Sequence, residues 1–558
     1  MRAHVPQIVI PMSGFGERFR RAGYEVPKPL IPVDGKPIIQ HVVELFPGAT
    51  DITFVCNRDH LADPGYGMRD LLQRIVPTAR IVAVEPHRLG PVHAVRQALP
   101  ALDPDRPVIV NYCDFSCYWH YGDFLDFVTE CDCDGAIPAY RGFHPHSLGS
   151  TFYAYLKEDG LWASDIQEKQ PFTDRPSEEF ASSGTYYFRS ARLLAEACAA
   201  TVAENLSVNG EYYVSLAYKP LMRAGRRIAV YSLQHFMQWG TPEDLEEYLY
   251  WSGVFSCLVE PSRRRVTAQQ PDGCLLVPLA GLGKRFAVEG YADPKPLIPV
   301  SGRPMVVQAA LDLPRPPDQR FILRRDLPGL EEVQAAIKTA FPDARLHVLD
   351  GVTDGQARTC LLGVDGVAPD EPLTIIACDN GMVFAAEAYS RLLESHEADV
   401  IVWGVRGHPL ARRKPEMFGW IDAEANGRIR RVSTKVPLDD PARDPVVVGA
   451  FTFRRAADFV RAAERMIARD GWINGEFYVD NAINDALELG LSCRLFEIDA
   501  YLCWGTPDDL RTFEYWQSCF DKWFGHPYRL EDDSRVAPEA IPAIRTRYAW
   551  NPAPRPSP

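Results

Sequence analysis

At 558 residues the chain exceeds what one hydrophobic core serves, so two domains of about 250 residues are expected. A net charge of −14 argues against a nucleic-acid backbone as partner but leaves phosphate-bearing substrates open, because local cations override a global field. Hydrophobic content of 46% is ordinary for globular protein, and no apolar run reaches the roughly 18 residues of a membrane span.

In chain order, MRAHVPQIVIPM reads as a first strand rather than a signal peptide, and it leads directly into a glycine loop. That loop is the start of a repeat. Pro11–Pro37 (PMSGFGERFRRAGYEVPKPLIPVDGKP) and Pro278–Pro304 (PLAGLGKRFAVEGYADPKPLIPVSGRP) share 16 of 27 positions. Further segments recur near the same offset. Asn209-Gly-Glu-Tyr-Tyr-Val214 is echoed by Asn474-Gly-Glu-Phe-Tyr-Val479, and Trp239-Gly-Thr-Pro by Trp504-Gly-Thr-Pro.

Short apolar runs (Gln7–Pro11, Ile52–Cys56, Ile81–Val84, Pro107–Asn111, Cys274–Pro278, Leu373–Ala377) read as buried strands alternating with helical patterns. This predicts an α/β fold with largely parallel sheets. Thr241 and Thr506 are expected as N-caps, with Pro242 and Pro507 opening the helices. The domains are placed at 1–258 and 273–525, joined by a polar linker at 259–272. Residues 526–558, rich in proline and arginine, are expected as an irregular strap or loose tail. The 13 scattered cysteines lack metal spacing and read as reduced thiols of a cytoplasmic protein.

Four constellations carry chemistry. In G-x-G-x-R-F (Gly14, Gly16, Arg18; Gly281, Gly283, Arg285), glycines let backbone N–H groups approach phosphate oxygens, and the guanidinium adds a bidentate donor. It is neither a Walker loop nor the dinucleotide fingerprint. In P-K-P (Lys28, Lys295), flanking prolines are expected to hold the lysine extended, at low entropic cost. Asp114 and Asp379 end buried strands, where a lone carboxylate suits a divalent cation bridging phosphates. Lys169 (IQEKQP) and Lys435 (VSTKVP) follow strand-like runs, and by themselves read equally as solvated lysines.

Taken together, G-x-G-x-R…P-K-P-L-I-P-V-x-G-x-P, the strand-end Asp, the E-K-x-P-like lysine and W-G-T-P resemble the sugar-phosphate nucleotidylyltransferases over nearly all of both halves. The resemblance implies two tandem Rossmann-like, GT-A-like domains, each a mostly parallel mixed sheet flanked by helices. It implies Mg²⁺-dependent attack of a sugar phosphate on the α-phosphorus of an NTP with loss of pyrophosphate. The glycine loops (Ser13, Gly14 and Gly16; Ala280, Gly281 and Gly283), with Arg18 or Arg285, would hold the β- and γ-phosphates. Lys28 or Lys295 would stabilise charge at the α-phosphate, Asp114 or Asp379 would hold the metal, and Lys169 or Lys435 would grip the acceptor phosphate.

Glu168 matches a sugar-binding carboxylate for which the second copy has Thr434, and Glu211 and Glu476 are candidates for the acceptor pocket. Many members read W-x-D-x-G-T, with Asp a second metal ligand. Here Gln238 and Cys503 stand at that place, and thiol is a poor Mg²⁺ ligand. A base-reading Gln is replaced by Glu85 before Gly90 and by Asp350 before Gly355. A carboxylate accepts but cannot donate, which suits CTP or GTP better than UTP or dTTP.

Products would be activated sugars or polyols for surface polysaccharide. The competing reading is a nucleotide-sensing protein on the same fold. A glycosyltransferase would want a D-x-D motif that neither Asp114-Phe-Ser nor Asp379-Asn-Gly supplies.

Overall fold

The structure is a computed structural model describing residues 5–260 and 272–547. Residues 261–271, most of the expected linker, and 548–558 lie outside the described residues. The chain divides into two compact units at Leu249/Tyr250, inside the helix Pro242–Val259, and the second unit runs to Arg547.

In the first unit Gln7–Met12 is the central strand, buried along its whole length. It pairs in parallel with Ile52–Asn57 on one side and Val108–Asn111 on the other, and Arg80–Val84 extends the parallel set. Beyond Val108–Asn111 the direction changes. Thr185–Phe188 is antiparallel to it, followed by Gly135–Tyr140, which is parallel to Ile228–Ser232. The parallel half thus holds the glycine loop, and the mixed half holds the segment around Lys169. Arg80–Val84 is not the buried strand expected from its apolar run. It lies at the sheet edge, where one side has no neighbouring strand, and only Val84 is buried.

The second unit repeats this order: Arg345–Leu349, Asp318–Arg324, Cys274–Pro278, Leu373–Ile376, Val446–Phe453, Val400–Val405 and Cys493–Glu497. Alternation along its central strand feeds two cores, because successive side chains leave opposite faces of a sheet. Leu275 and Val277 join Phe321 and Leu323 on one face, whereas Cys274 and Leu276 join Ile322 on the other.

Residues 526–547 are a packed strap on the second unit. Tyr528 and Leu530 are fully buried, and Ala537 N–H donates to Ser301 O at 2.9 Å. Arg535 Nε donates to Asp312 Oδ1 at 3.1 Å, both side chains being out of solvent. Buried aromatic and apolar anchors, more than the proline content, decide this packing. All 13 cysteines are free thiols, and among the described residues no helix is long and apolar enough to cross a membrane.

Candidate active site

Each glycine loop turns on a residue that only glycine adopts easily. Gly16 (φ 64°) and Gly283 (φ 61°) are left-handed and open the short helices Glu17–Arg21 and Lys284–Val288. A Cβ on Gly14 or Gly281 would meet nothing within 4 Å, so these glycines face open space. Arg18 and Arg285 are exposed on the same turn, and Ser13 and Ala280 are buried beneath it.

The P-K-P lysines do not lie extended, as expected. Each opens a 3-10 turn, Lys28–Leu30 and Lys295–Leu297. Leu30 N–H donates to Pro27 O at 2.8 Å and Ile31 N–H to Lys28 O at 3.1 Å, so the turn closes around a proline that has no N–H to give. The turn lays the lysine across the sheet end. Lys28 Nζ donates to Asp114 Oδ2 at 2.7 Å, and Lys295 Nζ to Asp379 Oδ2 at 2.6 Å. Burial works against each ammonium, but the adjacent carboxylate outweighs it and holds both lysines above their ordinary pKa.

Asp114 sits in the link between Val108–Asn111 and a two-stranded ribbon formed by Phe115–Tyr118 and His235–Gln238. Trp239 N–H donates to Asp114 O at 2.9 Å, and Trp504 N–H to Asp379 O at the same distance. This fixes the W-G-T segment against the aspartate. The two threonines cap as expected. Thr506 and Asp509 form a complete capping box, and Asp244 N–H donates to Thr241 Oγ1 at 3.2 Å.

The N-G-E-[YF]-Y segments have a local explanation. Asn209 and Gly210 (φ 52° and 79°), like Asn474 and Gly475 (φ 53° and 81°), take the two left-handed positions of a tight hairpin turn. The aromatic residue after the glutamate is stitched to the loop that opens the helix Pro91–Ala98, or Gln356–Gly363 in the second unit. Tyr212 N–H donates to Leu89 O at 2.9 Å, and Val92 N–H to Tyr212 O at 3.0 Å. Phe477 makes the same two bonds with Asp354 and Ala357. Gly90 and Gly355 allow this approach, since a Cβ would fall 2.7 Å from Tyr212 N and 2.4 Å from Phe477 N.

Lys169 and Lys435 both hold a left-handed backbone (φ 61° and 63°), which is uncommon for a side-chain-bearing residue and typical of constrained sites. Lys169 Nζ lies 4.5 Å from the Tyr213 ring centroid and 3.9 Å from Glu211 Oε2, and Tyr213 Oη donates to Glu211. Glu168 Oε2 accepts from Ser215 Oγ at 2.5 Å, and burial pushes its carboxyl up to about 7. In the second unit Lys435 Nζ donates to Met417 O and lies 5.7 Å from the Tyr478 ring. Burial lowers its pKa, with Asp480 opposing. Glu476 lies close enough to Lys435 and Tyr478 to act on both.

The carboxylates expected to read the base are exposed and paired with guanidinium groups, Glu85 with Arg58 and Asp350 with Arg325. Arg88, which sequence reasoning missed, donates to Glu17 and covers Phe15 at 5.4 Å, closing over the first glycine loop. The second copy has Thr353 at the matching position, so the repeat gave no signal for it. Tyr213 and Ser215 were also missed, although they lie within and just after the N-G-E-Y-Y motif.

The MobA-like NTP transferase domain matches residues 8–169. The first unit therefore contains a domain similar to the MobA-like NTP transferases. The matched span contains the first glycine loop, Lys28, Asp114 and Lys169. The chain is 39% identical over 107 residues to the bifunctional protein GlmU of Burkholderia multivorans, and 35% identical over 111 residues to that of Burkholderia mallei. These alignments cover 19% of this chain and 22% of each relative, so the chain spans about a fifth of the relatives it matches. Among solved structures, a nucleoside-diphosphate-sugar pyrophosphorylase from Vibrio cholerae aligns at 20% identity and TM-score 0.36, covering 44% of this chain and 99% of the other. An inositol-1-phosphate CTP transferase from T. maritima aligns at 13% and 0.35, covering 44% and 96%.

The two units differ in their fit to a divalent cation. In the first, a Cβ on Gly240 would lie 3.2 Å from both Asp114 Oδ2 and Gln238 Nε2, so the carboxylate and carboxamide converge over that glycine. Carboxylate and amide carbonyl oxygen suit Mg²⁺, which keeps several waters. In the second, Cys503 occupies the glutamine position. Burial, then the nearby Asp509, drives its thiol well above the usual range and keeps it neutral. Asp509 is itself engaged by Thr506 N–H and Oγ1 at 2.9 and 2.7 Å. The second unit therefore offers Asp379 without a second ligand at this place. Among the described residues no cluster of three or more His, Cys, Asp or Glu side chains could hold a metal ion.

Proposed function

We propose that this chain transfers a nucleotidyl group from an NTP to a phosphorylated sugar or polyol and releases pyrophosphate. An acceptor phosphate oxygen forms the new bond to the α-phosphorus in line, and the bond to the β-phosphate oxygen breaks with its electron pair leaving on pyrophosphate. The observation that carries this reading is the recurrence in both units of one arrangement. A left-handed glycine turn lies beside a lysine salt-bridged to a strand-end aspartate, with a second lysine held left-handed in the mixed half of the sheet.

Ser13, Gly14 and Gly16 (Ala280, Gly281 and Gly283) present backbone to the β- and γ-phosphates, with Arg18 or Arg285 beside them. Lys28 or Lys295 exchanges its carboxylate partner for the charge that develops at the α-phosphate. Lys169 or Lys435 holds the acceptor phosphate, with Glu168, Glu211 and Glu476 on the acceptor side. Such catalysis is positioning plus electrostatics, and no covalent enzyme intermediate is needed. In the first unit Asp114 and Gln238 would hold Mg²⁺, which when bound neutralises charge on bridging phosphate oxygens. No step is assigned through a metal in the second unit.

Glu85 and Asp350 support CTP or GTP as donor, with the partner Arg58 or Arg325 sharing each carboxylate. Production of surface-polysaccharide precursors in the cytoplasm is the role we propose. Cys503 favours a second reading for the second unit alone, in which it binds nucleotide and regulates the first.

The test is pyrophosphate release with Mg²⁺, each NTP being offered with a panel of sugar 1-phosphates and polyol phosphates. Wild type is compared with Lys28→Ala and Lys295→Ala. Release with a cytidine or guanosine donor, lost in one variant only, is the expected result and names the working unit. Nucleotide-induced thermal stabilisation without release from any pair would replace the enzyme by the sensing protein. A clear UTP or dTTP preference would remove the base assignment.

A further inference from the structure

The acceptor-side carboxylate of the first unit has no counterpart in the second at the same sequence position. Glu168 ends the strand Trp162–Glu168, and the matching end of Ile429–Thr434 carries Thr434. The partner of Glu168 is Ser215, five residues beyond Gly210. Its match, five residues beyond Gly475, is Asp480. The two side chains have changed places. Where the first unit has carboxylate on the strand and hydroxyl on the facing segment, the second has hydroxyl on the strand and carboxylate on the facing helix Val479–Glu488.

Three observations place the Asp480 carboxyl where that of Glu168 would be. A Cβ on Gly419 would lie 2.4 Å from Asp480 Oδ2, so the carboxyl reaches across to the strand that pairs with Thr434. The first unit has Ala154 opposite Glu168 in that register, and a methyl group there is compatible with a carboxyl that does not cross. Lys435 acts electrostatically on the Asp480 carboxyl, as Lys169 does on that of Glu168. Finally, Thr434 is buried and its hydroxyl faces the Asp480 carboxyl and helps to hold it ionised, as the Ser215 hydroxyl faces Glu168 in the first unit.

We propose that Asp480, with Thr434 Oγ1, binds a pair of acceptor hydroxyls in the second unit, next to the acceptor phosphate held by Lys435. The inference rests on the nucleotidylyltransferase reading and deepens it. A carboxylate accepts from two hydroxyls, and the threonine hydroxyl both donates and accepts, which suits a vicinal diol of a phosphorylated sugar or polyol. Asp480 is one methylene shorter than Glu168 and enters from a helix rather than a strand. The second unit therefore takes a differently shaped acceptor from the first.

The experiment uses the full chain. Lys295→Ala first identifies the NTP–acceptor pair that depends on the second unit. Asp480→Asn is then expected to raise KM for that acceptor at least about tenfold while KM for the NTP stays within about twofold, because a site built for hydroxyls loses its paired acceptor. The exchanged variant Thr434→Glu with Asp480→Ser restores the arrangement of the first unit and is expected to recover part of the lost affinity. Thermal midpoints confirm that each variant folds. An unchanged acceptor KM in Asp480→Asn, or equal rises for both substrates, overturns this inference and leaves the enzyme reading standing. If no pair depends on Lys295, the catalytic reading of the second unit fails and this inference falls with it.

Discussion

Lys28 and Asp114 meet at 2.7 Å although 86 residues separate them, and Lys295 with Asp379 reproduces the contact. In the proposed reaction the lysine later faces phosphate, and the salt bridge is then a storage position. The carboxylate keeps the ammonium charged and oriented until a stronger anion arrives. Lys28→Ala and Lys295→Ala should each lower turnover of one NTP–acceptor pair by about 10²–10³-fold, the usual effect of removing one preorganised charge-stabilising donor. Steady-state kinetics with the paired substrates checks this. Equal loss for every pair in both variants would contradict independent sites.

Gly90 and Gly14 should separate folding from binding. Alanine at Gly90 combines a left-handed φ of 84° with a Cβ 2.7 Å from Tyr212 N, so it should destabilise the first unit by about 1–3 kcal/mol. Alanine at Gly14 meets nothing within 4 Å. Its stability should be nearly unchanged while NTP affinity falls. Chemical denaturation alongside nucleotide titration reads both quantities.

Glu168 gives a pH signature. Burial raises its carboxyl from 4.5 to about 7. The folded state then holds a proton that the unfolded chain has already released, so this group favours folding below pH 4.5 and loses that contribution as pH rises towards about 7. Glu168→Gln should flatten the fall in thermal midpoint over that interval. A variant with the same slope as wild type would show that the carboxyl is not buried.

Cys503 is the place to restore a metal ligand. Cys503→Asp supplies an oxygen donor beside Asp379, and the Lys295-dependent activity should then need less Mg²⁺ for half-saturation. Chelation should abolish release by the first unit. An unchanged Mg²⁺ titration in Cys503→Asp would mean that the metal does not bind beside Asp379.

Much of the site could be read from sequence because each motif is a backbone requirement with a short period. G-x-G at the end of a buried run, P-K-P and W-G-T-P all announce local geometry. The α/β class followed from alternation of apolar runs and helices, whereas the strand order around Gln7–Met12 did not. Legibility ended where a residue acts through a distant one. Proline chemistry alone predicts an extended P-K-P lysine, whereas a 3-10 turn aims Lys28 at Asp114. Arg88 was invisible because an exposed arginine in a loop carries no pattern.

By itself the sequence determined that one unit occurs twice, which residues are candidates for phosphate chemistry, and that Gln238 and Cys503 stand where the resemblance leads one to expect an aspartate. Tertiary structure alone decided which of these groups meet. Asp480 shows why. Read along the chain, Thr434 looks like the loss of a carboxylate, but folding brings the helix at Val479 against the strand ending at Thr434 and returns the charge from the other side. Position in space is a sum over the whole fold, and a local pattern does not contain it.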